Sequence, residues 1–260
     1  MLDILFQDKD LLAIHKPAGL LVHRSNVAMD IHENAVDQLS AQVGAPVFPV
    51  HRLDRPTSGV LLFALSATMA NSMAEKMQQN EIKKWYVTLV RGLTKPSGHI
   101  TKALSSEYSK TTKSAISYYR TLEHCLAPIS YRGYTTTPYS LVLASPQTGR
   151  THQLRQHFAH IRHYIIGDKK HGDVKQNKHA MQHLNQHTMY LHACQLQFKH
   201  PITNEEVTIK APLPATWNKV KELLDVDFQG IVDSALLSHQ PITFDLAIAE
   251  QQECTHYVYG

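Results

Sequence analysis

The stretch His51-Arg52-Leu53-Asp54-Arg55-Pro56-Thr57-Ser58-Gly59 sets one carboxylate between two guanidiniums and then breaks the chain with Pro and Gly. A carboxylate in that setting can act as a nucleophile, a general base or a metal ligand, or it can merely close a salt-bridged surface turn. A second stretch, Thr148-Gly149-Arg150-Thr151-His152-Gln153-Leu154-Arg155, adds two guanidiniums and an imidazole. It opens a segment, 150–192, that carries Arg150, Arg155, Arg162, Lys169, Lys170, Lys175 and Lys178 against only Asp168 and Asp173. The same segment holds nine of the eighteen histidines. Positive charge concentrated on one segment suits a polyanionic partner, whereas the same charge spread evenly would serve only solubility.

These residues need elements to hold them. Apolar runs at 47–50 and 60–65 flank the Asp54 turn and read as strands, so the carboxylate is delivered by two buried elements. Upstream, strands are expected at 4–6 and 11–14, a Pro-Gly turn at 16–19 and an extended run at 20–23. Asn34 is placed to cap a helix through 43, with Val36, Leu39 and Val43 on one face, and Ser66 to cap another to about 80. Met69, Met73 and Met77 fall at i, i+4, i+8 of the second helix, the spacing of core packing. Residues 84–90 are strongly β-prone, 93–113 read as a flexible polar excursion, and strands resume at 115–121 and 139–143. A helix begins near Thr151 with Leu154, Phe158 and Ile161 as its apolar stripe; Arg155 lies beside that stripe and His157 and His160 further round. A loop is expected from 167 to about 186, then strands at 189–194 and 207–209 and a last amphipathic helix at 217–224. The pattern divides into a catalytic unit, 1–225, and an appendage, 226–260. Strands and helices mix without regular βαβ alternation, which points to an α+β fold with a mixed, largely antiparallel sheet.

A chain of 260 residues with 43% hydrophobic and 18% charged residues can bury a sizeable core, and a net charge of +4 is too modest to point to nucleic acid by itself. Three well-separated cysteines, Cys125, Cys194 and Cys254, argue against a disulfide framework and for a reducing compartment. With neither a signal-peptide pattern nor a run long enough to span a bilayer, a cytoplasmic location is expected. No GxGxxG or Walker-type loop offers a seat for a nucleotide cofactor.

Four pieces stand in order: Lys16-Pro17-Ala18-Gly19-Leu20-Leu21-Val22-His23, the Asp54 turn, Lys84-Trp85-Tyr86, and the 148–155 stretch followed by Ile166-Gly167-Asp168. In this order and spacing the chain resembles the RluA family of pseudouridine synthases, from about residue 2 to about residue 215. The strings around Asp54 and Arg155 are long enough to make that resemblance specific. It implies a pseudouridine synthase fold with a central cleft and isomerisation of uridine in RNA without cofactor or metal. It also implies roles for single residues. Asp54 is the catalytic aspartate, and Arg155 the arginine expected to hold it bidentately, the alternative being a phosphate contact. Arg52 enters the RNA stack in place of the flipped base, or else pairs with a local acid. Tyr86 is the active-site tyrosine and Leu154 closes the uracil pocket. Arg150, His51, Lys169 and Lys170 contact RNA. Within the family the marks at 22–25, 56–62, 170–173 and 176–177 resemble the members that act on uridine 65 of tRNA. No S4-type RNA-binding domain precedes the catalytic region, so tRNA is the expected partner, with ribosomal RNA the rival substrate.

Two histidine rows, His157/His160/His163 and His179/His183/His187, invite a zinc reading. They lack the Cys or carboxylate partners of known zinc motifs, so a solvated, RNA-facing surface is the better expectation. A silent RNA-binding module would have no use for Asp54, Tyr86 and Arg155 together, and a two-metal hydrolase would need clustered acids that are missing.

Overall fold

A computed structural model describes residues 1–23, 33–106, 109–184 and 188–238. The elements run β1 (Asp3–Gln7), β2 (Leu11–Lys16), α1 (Ala35–Val43), β3 (Phe48–Pro49), β4 (Ser58–Ala64), α2 (Ala67–Gln78), β5 (Lys83–Arg91) and β6 (Ser97–Ile100). A small ribbon of β7 (Leu104–Ser106) and β8 (Ser109–Lys113) follows, then β9 (Ser117–Ala127), β10 (Thr137–Pro146), α3 (Gln153–His160) and α4 (Val174–Leu184). The chain closes with β11 (Leu191–Lys199), β12 (Glu206–Lys210), α5 (Asn218–Leu224) and α6 (Phe228–Leu237). No described helix is long and apolar enough to cross a membrane.

Eight strands lie in the order β1-β2-β4-β11-β5-β10-β9-β6, with β12 pairing β11 and β3 pairing β4. Pairing is antiparallel except for β4 with β11, where His192 faces Ser58 and Ala193 faces Gly59. This is the α+β, largely antiparallel sheet expected from the pattern. Every residue of β4 is buried, which is why 60–65 reads as a continuous apolar run.

Side chains alternate across the sheet with period two. Val60, Leu62, Val87, Leu89, Leu141 and Cys194 point to one face, packing with α2, α5 and α6. Leu61, Phe63, Val142, Leu191 and Ala193 point to the other, where Leu39 of α1 covers one half and Leu154 and Phe158 of α3 the other. Tyr86 packs against both halves of that second face. Tyr86 therefore marks the seam between the half covered by α1 and the half covered by α3, and the turn that carries Asp54 leads into β4.

The caps hold as the residue types demand. Asn34 accepts from the Asp37 amide at 3.0 Å and Ser66 from the Met69 amide at 3.2 Å. The methionine row is core, with Met69 and Met73 buried and Met77 packed beside them.

Two expectations fail. Residues 174–184, expected as loop, form α4. Its buried side carries Gln176, His179, Ala180 and Leu184, so it lacks the apolar stripe that betrays a helix. The polar excursion at 93–113 contains β6, which pairs with β9 at the edge of the main sheet, and the separate two-stranded ribbon of β7 and β8. Past Asp225, α6 buries Phe228 and Val232 against Trp217; the rest of that stretch, with Cys254, lies outside the described residues.

Candidate active site

Asp54 sits on a turn closed by the Thr57 amide donating to the Asp54 carbonyl at 2.9 Å. That turn is clamped to the Pro-Gly turn at 16–19. The Gly19 amide donates to the Arg55 carbonyl at 2.7 Å, and Arg55 Nε donates to the Gly19 carbonyl at 2.9 Å. Beneath both lies Lys16, fully buried, whose Nζ donates to the carbonyls of Pro17 at 2.9 Å, Leu20 at 2.9 Å and Arg55 at 3.3 Å. Burial lowers the Lys16 pKa to about 7 against the opposing charge of Asp54. Downstream, Gly59 has φ +116°, and a Cβ there would run into the Ala193 carbonyl. Only glycine lets β4 approach β11 closely at this point, so the register that carries Asp54 depends on it.

Arg155 enters from α3 with 5% of its side chain exposed. Its Nη1 donates to Asp54 Oδ2 at 3.0 Å, while Nε and Nη2 donate to Asp168 Oδ2 at 2.8 Å and Oδ1 at 2.7 Å. The bidentate fork expected on Asp54 is thus on Asp168, and Asp54 receives the remaining arm. Asp168 also accepts the amides of Lys170 at 2.9 Å and His171 at 3.0 Å through Oδ1. Burial would raise its pKa, but the bonds and charge of Arg155 and those two amides prevail and lower it. For Arg155 burial opposes the charge while bonds to Asp168 and Asp54 hold the pKa up.

The other oxygen of Asp54 faces an imidazole: His152 Nε2 lies 3.8 Å from Oδ1. The phenol of Tyr86 is pushed up, first by burial and then by the charge of Asp54, so it stays a hydrogen-bond donor across the working pH range. Leu154 is buried in the same cluster that Tyr86 packs against. Carboxylate, phenol and apolar wall therefore converge on the seam.

The expected RNA contacts divide. Arg52 is exposed, and no described carboxylate pairs with its guanidinium. Lys169 and Lys170 are exposed on the turn after Asp168, and Arg150 Nε donates to the Ser114 carbonyl at 3.1 Å, which fixes its direction. His51 differs from expectation. Its Nε2 accepts the Leu62 amide at 3.2 Å, and burial, with Lys84 nearby, lowers its pKa to about 4. It is a neutral peg holding the turn to β4 rather than a cation for phosphate.

The histidine-rich surface is corrected in part: His160 and His183 are exposed, as expected, but three other rings of the two rows are tied into the fold. His157 is buried between Ser117 Oγ and the Lys102 carbonyl, 3.0 Å from each, and burial lowers its pKa. His163 Nδ1 lies 2.8 Å from the Arg91 carbonyl, and His179 Nε2 lies 3.1 Å from the Ser130 carbonyl. These rings peg loops to the sheet; His187 lies outside the described residues. Among the described residues, the one group spaced for a metal is Asp8, Asp10 and His200, at the turns after β1 and β11. Its chemistry does not fit. His200 Nδ1 accepts the amides of Ile202 at 3.3 Å and Thr203 at 3.2 Å, so Nε2 bears the proton and faces Asp8 at 3.3 Å.

Sequence reasoning passed over Lys16, Asp168 and the pair His152 and His171 as site residues. A signal existed for Asp168, one of two acids in a strongly basic segment, but its partner is visible only in space.

A carboxylate with one oxygen clamped by a buried arginine and the other open, beside a protonated phenol and an apolar wall, defines an enzyme built for acid–base or covalent work on a flat ring. The model of the family "RNA pseudouridylate synthase" matches residues 10–160. The tRNA pseudouridine synthase C of Haemophilus ducreyi is 44% identical over 225 residues, 83% of this chain and 93% of that one. The protein of the same name from Vibrio parahaemolyticus is 42% identical over 231 residues, 84% of this chain and 93% of its own. Among solved structures, human RNA Pseudouridylate Synthase Domain Containing 1 superposes with a TM-score of 0.67 at 25% identity, covering 93% of this chain and 96% of that one. The chain belongs to the RNA pseudouridylate synthase family, and its reaction is the isomerisation of uridine to pseudouridine in RNA.

Proposed function

We propose that the enzyme modifies folded tRNA at the T-stem uridine 65, with Asp54 as its catalytic carboxylate. The observation that carries the catalytic assignment is the asymmetry at Asp54: Oδ2 is held by Arg155 at 3.0 Å, and Oδ1 is left for the substrate. The reaction replaces the N-glycosidic bond by a C–C bond to C5. Uridine must leave its stack before any side chain reaches it. Arg52, exposed two residues before Asp54, stacks where the base was, since a guanidinium is flat and rich in donors. The flipped uracil rests on Tyr86 and Leu154. Asp54 then attacks carbon or removes a proton from the ribose; both routes use the same open oxygen.

The substrate assignment is supported by the relatives named tRNA pseudouridine synthase C, which this chain matches over more than nine-tenths of their length. Arg150, Lys169 and Lys170 lie around the site and take phosphates, the contacts that position an RNA without reading its sequence. Selection then rests on the shape around the flipped uridine, which suits a compact folded tRNA. That substrate also sets the working place of the enzyme in the cytoplasm. The test is a competition in which unmodified tRNA and unmodified ribosomal RNA are offered together and the products mapped. Pseudouridine at position 65 of tRNA, with activity falling steeply as salt rises, is expected. Product confined to ribosomal RNA would refute the substrate and leave the chemistry standing.

A further inference from the structure

We propose that His152 and His171 form a two-imidazole proton relay serving the open oxygen of Asp54. The inference rests on the reading of Asp54 as the catalytic carboxylate. His171 lies beyond the residues matched by the family model, which end at 160.

The geometry is a chain of three groups. His152 Nε2 lies 3.8 Å from Asp54 Oδ1, and His152 Nδ1 lies 2.9 Å from His171 Nε2, the two rings meeting edge to face. The first gap is longer than a hydrogen bond, as catalytic contacts often are before substrate closes the site. The second is a full hydrogen bond, so one of its nitrogens carries a proton and the other does not. His171 is half-buried, which places the outer end of the chain within reach of solvent.

Two features show that the chain is held in place deliberately. His152 occupies the N-cap position of α3 with φ +55° and ψ +28°, in the left-handed region, and its side chain makes no capping bond. Serine or aspartate would cap that helix better. The imidazole is turned to Asp54 and His171 instead, a local cost of the kind that gathers at working sites. The second feature is Asp168. Its Oδ1 accepts the His171 amide at 3.0 Å while its two oxygens hold Arg155. One buried carboxylate thus fixes both the clamp on Asp54 Oδ2 and the turn that carries the relay's outer ring.

The pair is neutral at working pH. Burial lowers the pKa of each ring; Asp168 pulls both upward and Asp54 pulls His152 upward, while Arg155, Lys170 and, for His171, the neighbouring His152 push down. Neutral imidazoles are what a relay requires, because two cationic rings would meet N–H against N–H. The proton count then balances. A proton taken from the substrate onto Asp54 Oδ1 passes to His152 Nε2. The proton on His152 Nδ1 moves to His171 Nε2, and that on His171 Nδ1 leaves to water. Each ring ends neutral as the other tautomer, Asp54 is again a carboxylate, and the reverse sequence returns a proton from solvent. Isomerisation needs this traffic, since C5 loses its proton and N1 gains one.

The experiment measures single-turnover pseudouridine formation and tritium release from C5-labelled uridine in folded tRNA. It compares the wild-type protein, His171→Ala and His171→Gln, with RNA affinity and thermal unfolding followed in parallel. General acid–base groups contribute about 10²–10⁴-fold, and a loss near the lower end is expected for both variants, with affinity and unfolding unchanged. Glutamine can accept the hydrogen bond from His152 Nδ1 through its Oε1 but cannot pass a proton on, so it should be as slow as alanine. Imidazole added to His171→Ala should restore rate, and the wild-type acid limb should fall below pH 6.5. Normal turnover in His171→Gln would overturn the relay, as would a loss in His171→Ala that imidazole leaves untouched. A wild-type protein that forms no pseudouridine in tRNA would instead refute the substrate reading.

Discussion

Replacing Arg155 by lysine separates the two tasks of that residue. The guanidinium, 5% exposed, spans two carboxylates with three charge-assisted bonds, two to Asp168 and one to Asp54. An ammonium on the same backbone position is a point charge and can serve one of them. The side chain of Asp168 is 1% exposed and that of Asp54 18%. Stranding the more buried carboxylate costs more, so the lysine turns to Asp168 and releases Asp54. One of the two bonds to Asp168 is lost outright. At about 1.5–3 kcal/mol for a bond to a charged group, the unfolding midpoint should drop by roughly 3–12 °C for a chain of this size. The released Asp54 is no longer fixed, and displacing a reacting group by an ångström costs about 10²-fold in rate. Thermal unfolding by circular dichroism and single-turnover pseudouridine formation on folded tRNA read the two effects separately. A lysine variant with near-normal turnover would refute the clamp and leave Arg155 as a source of positive charge alone.

Asp54→Asn keeps the shape and removes the charge, so product formation should disappear while RNA affinity measured by filter binding stays intact. Gly59→Ala drives a Cβ into the Ala193 carbonyl in a backbone with φ +116°; it should lower the unfolding midpoint strongly and lose turnover, and a normal midpoint would show that the approach of β4 to β11 is dispensable. Burial lowers the pKa of His192 to about 3, between Ser58 Oγ at 2.9 Å and the Ala211 carbonyl at 3.2 Å. A histidine depressed in the folded state takes up its proton on unfolding, so stability is complete above pH 6.5 and declines as pH falls toward 3. The slope approaches about 1.4 kcal/mol per pH unit for each such group. Urea denaturation at pH 7 and pH 5 checks this, and His192→Gln should flatten the dependence.

What the sequence determined is local or periodic. The Asp54 turn is visible because Pro and Gly interrupt two apolar runs, and the helices after Asn34 and Ser66 because a cap and an apolar repeat sit in a few adjacent residues. The family strings around Asp54 and Arg155 carry the chemistry because residue types at fixed spacing are all that such chemistry shows of itself in one dimension. The tertiary structure decided which polar groups meet. Asp168, 113 positions after Arg55 in the chain, shares Arg155 with Asp54; nothing in the local pattern separates a buried hub from a solvated acid. On sequence His51 is expected to contact RNA and His157 to lie on a solvated, RNA-facing surface; both are neutral rings tied into the fold, because a histidine's charge depends on burial and on the partners of both ring nitrogens. Helix α4 escaped notice because its buried side is half polar, and its His179 finds cover only once the connection between β9 and β10 folds over it. Apolar residues announce their burial through periodicity. The burial of Asp168, His157 and His192 rests on bonds that distant parts of the chain supply, and those are fixed when the sheet closes.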